Sequence, residues 1–130
     1  MSNTIYPFKT KRAYNFARMV TQVAHGFAVG EQVYRDAAGA WALAQADDIA
    51  TMRNGMVEQA IDADTFVVVY MGLLTWPTHG FTPNTSYFLD QATPGAVVTP
   101  QPAAGFAQFC FTAMDADTVL ISDQAILDNS

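Results

Sequence analysis

One stretch of this chain is written twice. His25-Gly26-Phe27 returns as His79-Gly80-Phe81, 54 residues on, and Asp62-Ala63-Asp64-Thr65 returns as Asp115-Ala116-Asp117-Thr118 at a spacing of 53. Between these anchors the order of features is kept. Asp36 and Asp90 stand eleven residues past each His, Tyr34 corresponds to Phe88, and Gly39 and Gly95 precede short apolar stretches. Each copy closes on paired aliphatics, Leu73-Leu74 and Ile126-Leu127. Two motifs in the same order at nearly the same offset define an internal duplication over about 25–74 and 79–127. A chain built this way must fold as two similar units, and that limits the architectures open to it.

The units read as β-structure. Gln32-Val33-Tyr34, Ala40 to Leu43, Met56 to Ile61 and Thr65 to Met71 are short runs rich in β-branched and aromatic residues. Gly, Asn and Asp separate them. Asp62-Ala63-Asp64 has the length and the turn-forming acids of a hairpin loop. Ser86 to Leu89, Ala96 to Thr99, Ala107 to Met114 and Thr118 to Ser122 take the same places in the second copy. The expected fold is all-β, a small barrel or sandwich of two similar β-repeats. Only Gln45 to Arg53 has room for a helical turn. Residues 1–18 differ in character: they are polar and basic with spaced aromatics, and are expected to form an extended arm before a single β domain over 19–130. A first strand is expected from about residue 13, where Tyr14, Phe16 and Arg18 alternate with Ala13, Asn15 and Ala17.

Charge follows the same division. The first 30 residues hold Lys9, Lys11, Arg12 and Arg18 and no acid, whereas all twelve acids, against only Arg35 and Arg53, lie from Glu31 onward. A basic head on an acidic body suits an arm that docks on an acidic surface, with a solvated terminus as the plain alternative. Nucleic acid is a poor partner, because the body repels phosphate. Only 14% of the residues are charged, against about 25% in average domains. A short chain with so few charges is expected to bury apolar surface against other subunits. No stretch has the length of a membrane span, and no signal-peptide pattern opens the chain.

Candidates for chemistry are few. His25 and His79 are the only histidines. They could be metal ligands or a general base. The plainer reading has each imidazole bonding the backbone at a turn, with Gly26 and Gly80 supplying an unusual φ. The paired aspartates lack the pattern of a calcium loop and sit where turns need short acids. No nucleophile elbow, phosphate loop or zinc-protease motif occurs. Cys110, the single cysteine, lies between Phe109 and Phe111 and is expected to be buried and inert. The expectation is therefore no catalytic residue, no cofactor and no metal. Among the aromatics, Trp76 in the joint between the copies is the best candidate for an exposed partner contact, for a glycan or a protein.

Several of these segments resemble a pattern found in bacteriophage virion proteins. They are His25-Gly26-Phe27-Ala28-Val29-Gly30-Glu31-Gln32-Val33-Tyr34, Gly39-Ala40-Trp41, Ala44-Gln45-Ala46-Asp47, Asn54-Gly55-Met56-Val57, Asp64-Thr65-Phe66-Val67-Val68, Gly72 and Tyr87-Phe88-Leu89-Asp90. Such modules occur in tail fibres, spikes and baseplates and as small head-decoration (cement) proteins. The resemblance spans about residues 20–125. It implies a non-enzymatic, β-rich structural module, often trimeric, with no cofactor. With no collagen-like or coiled-coil shaft, this sequence is closer to a decoration protein than to a whole fibre. The expectation is a homotrimeric capsid decoration protein on the virion surface, assembled in the host cytoplasm, with the major capsid protein as partner. Tyr6, Phe8, Lys9, Lys11 and Arg12 of the arm, with Trp76, are the expected contacts. The alternative is a tail-tip or tail-fibre module that binds other tail proteins or a host receptor. A hydrolase with a dispersed site is a third reading, and it would need His25 or His79.

Overall fold

The computed structural model describes residues 16–122 and 125–129. The protein is all-β. Among the described residues ten strands run in the order β1 (Phe16–Thr21), β2 (Gln32–Arg35), β3 (Trp41–Leu43), β4 (Gly55–Asp62), β5 (Thr65–Thr75), β6 (Thr85–Leu89), β7 (Val97–Val98), β8 (Phe106–Asp115), β9 (Thr118–Ile121) and β10 (Ile126–Asp128). The expected helical turn is one turn of 3-10 helix, Ile49–Thr51, whose N-cap Asp48 accepts from the Ala50 N–H. Eight strands form one antiparallel sheet, ordered β3-β2-β4-β5-β9-β8-β6-β7 and curled into an open half-barrel; β1 adds to β5 and β10 to β8. Because β1 opens at Phe16, residues 16–18 of the expected arm are strand. The predicted start near residue 13 falls among the residues not described.

The duplication is visible in the ladders, and it begins earlier than the histidines. In the first copy β1 lies on β5, with Thr21 opposite Thr65 and Val20 opposite Phe66. In the second, the far end of β5 lies on β9, with Thr75 opposite Thr118 and Leu74 opposite Val119. The C-terminal half of β5 is thus the second copy of β1. The β4–β5 hairpin pairs Ala60 with Phe66 and Asp62 with Thr65, and the β8–β9 hairpin pairs Ala113 with Val119 and Asp115 with Thr118. Both hairpins carry a bulge at the same place, before Asp62 and before Asp115. A further bulge between Val57 and Gln59 is absent from β8, so the first copy holds one extra residue there.

The two modules are therefore joined by a shared strand. β5 closes the first module against β4 and β1, then opens the second against β9. The change of partner occurs at Gly72, whose φ of 128° lies outside the range that other residues adopt readily. The cores repeat as well. Val20, Val33, Val57, Phe66 and Val68 cluster in the first module. Leu74, Tyr87, Phe111, Val119 and Ile121 stand in the corresponding places of the second. Ala44, Ala46, Met52, Met56 and Val69 join the second cluster from the first module, so apolar packing is continuous across the joint. No helix among the described residues is long and apolar enough to cross a membrane.

Candidate functional site

The repeated motif builds the same turn twice. After its opening strand each chain segment must reverse over the tip of the hairpin that closes the module. In the first copy the Gln22 N–H donates to the Asp64 carbonyl (2.8 Å) and the Ala24 N–H to the Asp64 carboxylate (2.9 Å). In the second, the Trp76 N–H donates to the Asp117 carbonyl (2.7 Å) and the Thr78 N–H to the Asp117 carboxylate (3.0 Å). Ala24 and Thr78 take left-handed φ values of 55° and 56° to make these bonds, and Gly26 and Gly80 follow at 70° and 83°.

Each histidine then locks the turn. Nδ1 of His25 accepts from the Phe27 N–H (2.9 Å), and Nδ1 of His79 accepts from the Phe81 N–H (3.0 Å). The opposite nitrogen, Nε2, lies 2.6 Å from a carbonyl oxygen, Asp62 in one copy and Asp115 in the other. A carbonyl only accepts, so Nε2 carries the proton and each ring is held as one neutral tautomer. The carboxylates of Asp62 and Asp115 accept from the N–H two residues on, at 2.8 Å in both copies. That bond from Asp117, helped by those from Thr118, holds the exposed Asp115 carboxyl below its usual range. Its contribution to stability is present above the unfolded carboxyl's titration and is lost as pH falls through the lower folded value.

Every nitrogen of these imidazoles is thus occupied by backbone. A metal or substrate at either ring would first have to break the turn. Among the described residues no group of three potential ligands gathers at one point. Replacing either histidine with alanine removes two backbone partners, and each substitution is expected to cost about 1–3 kcal/mol. Urea unfolding of His25→Ala and His79→Ala should give similar losses. A loss in only one of them would show that the two turns are not energetically equivalent.

Tyr6, Phe8, Lys9, Lys11 and Arg12 lie outside the described residues. Trp76 lies at the joint between modules and is half-buried. Its ring stacks edgewise on Phe81, His79 and Phe111, with centroids 5.4, 5.9 and 6.4 Å away. Across the joint it covers Gly30, where an added Cβ would sit 2.2 Å from the indole. The ring therefore packs one module on the other and offers only part of its surface to a partner.

Cys110 is wholly buried in the second core, and burial pushes its thiol up to about 12. The folded protein is expected to leave an aromatic disulfide reagent unreacted at pH 8 and to release one equivalent of thiolate product in denaturant. Prompt native-state labelling would show that the β8 face opens.

The more telling surface is one that residue patterns did not reveal. Leu73 of β5 and Leu120 of β9 are direct cross-strand partners, yet both face outward and are about half exposed. Phe16, Met19 and Met71 are also exposed on β1 and β5, and Ile126 and Leu127 on β10. Ile126 and Leu127 border a shallow groove with Phe88, Phe109 and Ala107. In sequence, Val119-Leu120-Ile121 reads as one buried run, and only the pleat distinguishes its outward member. Searches of known protein families, of curated proteins and of solved structures find nothing that matches this chain.

Proposed function

We propose that this protein is a non-enzymatic structural component of a bacteriophage virion, a homotrimeric decoration protein that binds the major capsid protein. The observation that carries the proposal is the apolar surface on the outside of β1, β5, β9 and β10. Large aliphatic side chains at this density are what an assembling subunit presents to its neighbours. The polar residues that stand out in sequence support the same reading from the other side, because both histidines and their aspartates are spent on holding turns. The tandem modules and the resemblance of their turns to virion modules supply the viral setting. Action would be mechanical: many modest contacts, repeated over a symmetric lattice, add by multivalency.

The test is copy number on purified particles by quantitative mass spectrometry, with binding of the isolated protein to host cells measured alongside. Hundreds of copies per particle and no cell binding are expected. A few copies with saturable cell binding would move the assignment to the tail-tip or fibre reading. Absence from particles would overturn both.

A further inference from the structure

We infer that the Gln22 side chain guards the end of the sheet: its amide occupies the strand-pairing groups of Trp41 and so keeps a second copy of this chain from adding to β3. The inference goes beyond the virion reading and does not depend on it. β3 stands at one end of the sheet path and pairs with β2. Along β3 the backbone groups alternate in direction. The Asp36 N–H donates to the Ala40 carbonyl at 2.8 Å, and the Ala44 N–H donates to the Gln32 carbonyl at 2.9 Å. Residues 40, 42 and 44 therefore face β2. Trp41 lies between them and turns its N–H and C=O to the opposite side, where a further strand would bond.

Both groups are met there by one side chain. Oε1 of Gln22 accepts from the Trp41 N–H at 2.8 Å, and Nε2 of Gln22 donates to the Trp41 carbonyl at 2.9 Å. A primary amide has one donor side and one acceptor side, so it can stand in for the peptide group of a neighbouring strand. Gln22 is held in place for this task, because its own N–H is bound to the Asp64 carbonyl at the hairpin tip.

The second module shows what this edge accepts when no such amide stands over it. β7 is the counterpart of β3, and the Asp90 N–H donates to the Ala96 carbonyl at 3.0 Å as Asp36 does to Ala40. Gly95, one residue earlier, therefore faces away from β6. Its N–H donates to the Ala44 carbonyl at 2.7 Å, and its carbonyl accepts from the Gln32 N–H at 2.9 Å, both in the first module. The residue in the place of Gln22 is Trp76, whose N–H is bound to the Asp117 carbonyl and whose indole lies over Gly30 of the first module. One copy of this edge thus takes backbone from another module of the same chain. The other copy carries an amide in its place. Backbone edges left open invite pairing between chains, and polar outer groups on a terminal repeat stop a tandem from growing.

The test compares Gln22→Ala with the wild type and with His79→Ala, which weakens a turn of the second module and leaves Gln22 in place. Gln22→Met, of similar length but without the amide, is the second variant and serves where alanine lowers the folded fraction. With each protein shown to be folded by circular dichroism at neutral pH, the Gln22 variants should come to scatter about tenfold more light than the wild type or His79→Ala. Hydrogen exchange then locates the contact. The Trp41 amide should exchange freely in a freshly dissolved Gln22 variant and be protected again in its assemblies. Assemblies in which Trp41 still exchanges would place the contact elsewhere and overturn the inference. Equal growth in His79→Ala would trace the assembly to lost stability and overturn it as well. So would folded Gln22 variants that keep the wild-type size, because the edge would then need no guard.

Discussion

Phe111→Ala is expected to lower unfolding stability by about 3–5 kcal/mol, enough to remove most of the margin of a small domain. Phe111 is fully buried at the centre of the second core. Its ring meets Phe81 at 5.1 Å and Tyr87 at 5.5 Å, and Trp76 stacks on it from the joint. Truncation deletes the ring and leaves a cavity under three aromatic neighbours that are anchored elsewhere. Phe81 is held by the His79 turn, and the Tyr87 hydroxyl is tied to the Thr82 N–H at 3.0 Å. Tyr87 cannot collapse into the space without breaking that bond, and the Phe81 backbone is fixed by its turn. The loss should extend into the first module, because Trp76 covers Gly30 only while Phe111 supports it. Urea unfolding followed by tryptophan fluorescence, with Phe111→Leu as the milder control, measures the effect. A loss under about 1 kcal/mol would mean that the core refills and that the turn anchors are loose.

Much of this arrangement is legible in sequence, and the parts that are not share a cause. The strands between Gln32 and Ile121 are marked by β-branched runs and turn residues, and the His and Asp motifs predict the turns they hold. β5 is harder. Gly72 interrupts its pattern and reads as an end, although its φ only lets the strand change partners. The kinship of β1 with the end of β5 is hidden for another reason. Phe16, Met19 and Val20 correspond to Tyr70, Leu73 and Leu74, and only Thr21 and Thr75 are identical. A strand needs a kind of side chain at each position, so resemblance survives where identity does not. The arm residues chosen from charge lie outside the described part of the molecule. The outward leucines escape notice because hydrophobicity does not tell which way a pleat faces. Arg53, Gln32 and Gln108 escape for the opposite reason: they are of surface type, yet they are buried.

Gln108 is where that last point has the largest consequence, and Gln108→Leu is expected to cost about 2–4 kcal/mol. The amide of Gln108, in β8 of the second module, grips one backbone unit of the first. Its Oε1 accepts from the Arg53 N–H at 2.7 Å, and its Nε2 donates to the Arg53 carbonyl at 3.0 Å. Both groups are buried, so leucine of similar size would take away the side-chain partner of a donor and an acceptor at once. Each buried polar group that loses its partner costs about 1–3 kcal/mol, and two such groups in the lower half of that span give the expected loss. The Arg53 guanidinium reaches in turn toward the carbonyls of Tyr70 and Ser122, at the shared strand and just past β9. Apolar contacts between two similar modules would tolerate several alignments; a two-point amide grip on a single residue permits one. Two readouts should therefore move together in Gln108→Leu. The urea midpoint should fall, and the Arg53 amide should lose hydrogen-exchange protection more than amides within the β8–β9 hairpin. A lower midpoint with Arg53 still protected would make Gln108 a packing residue of its own module and leave the joint to the apolar cluster alone.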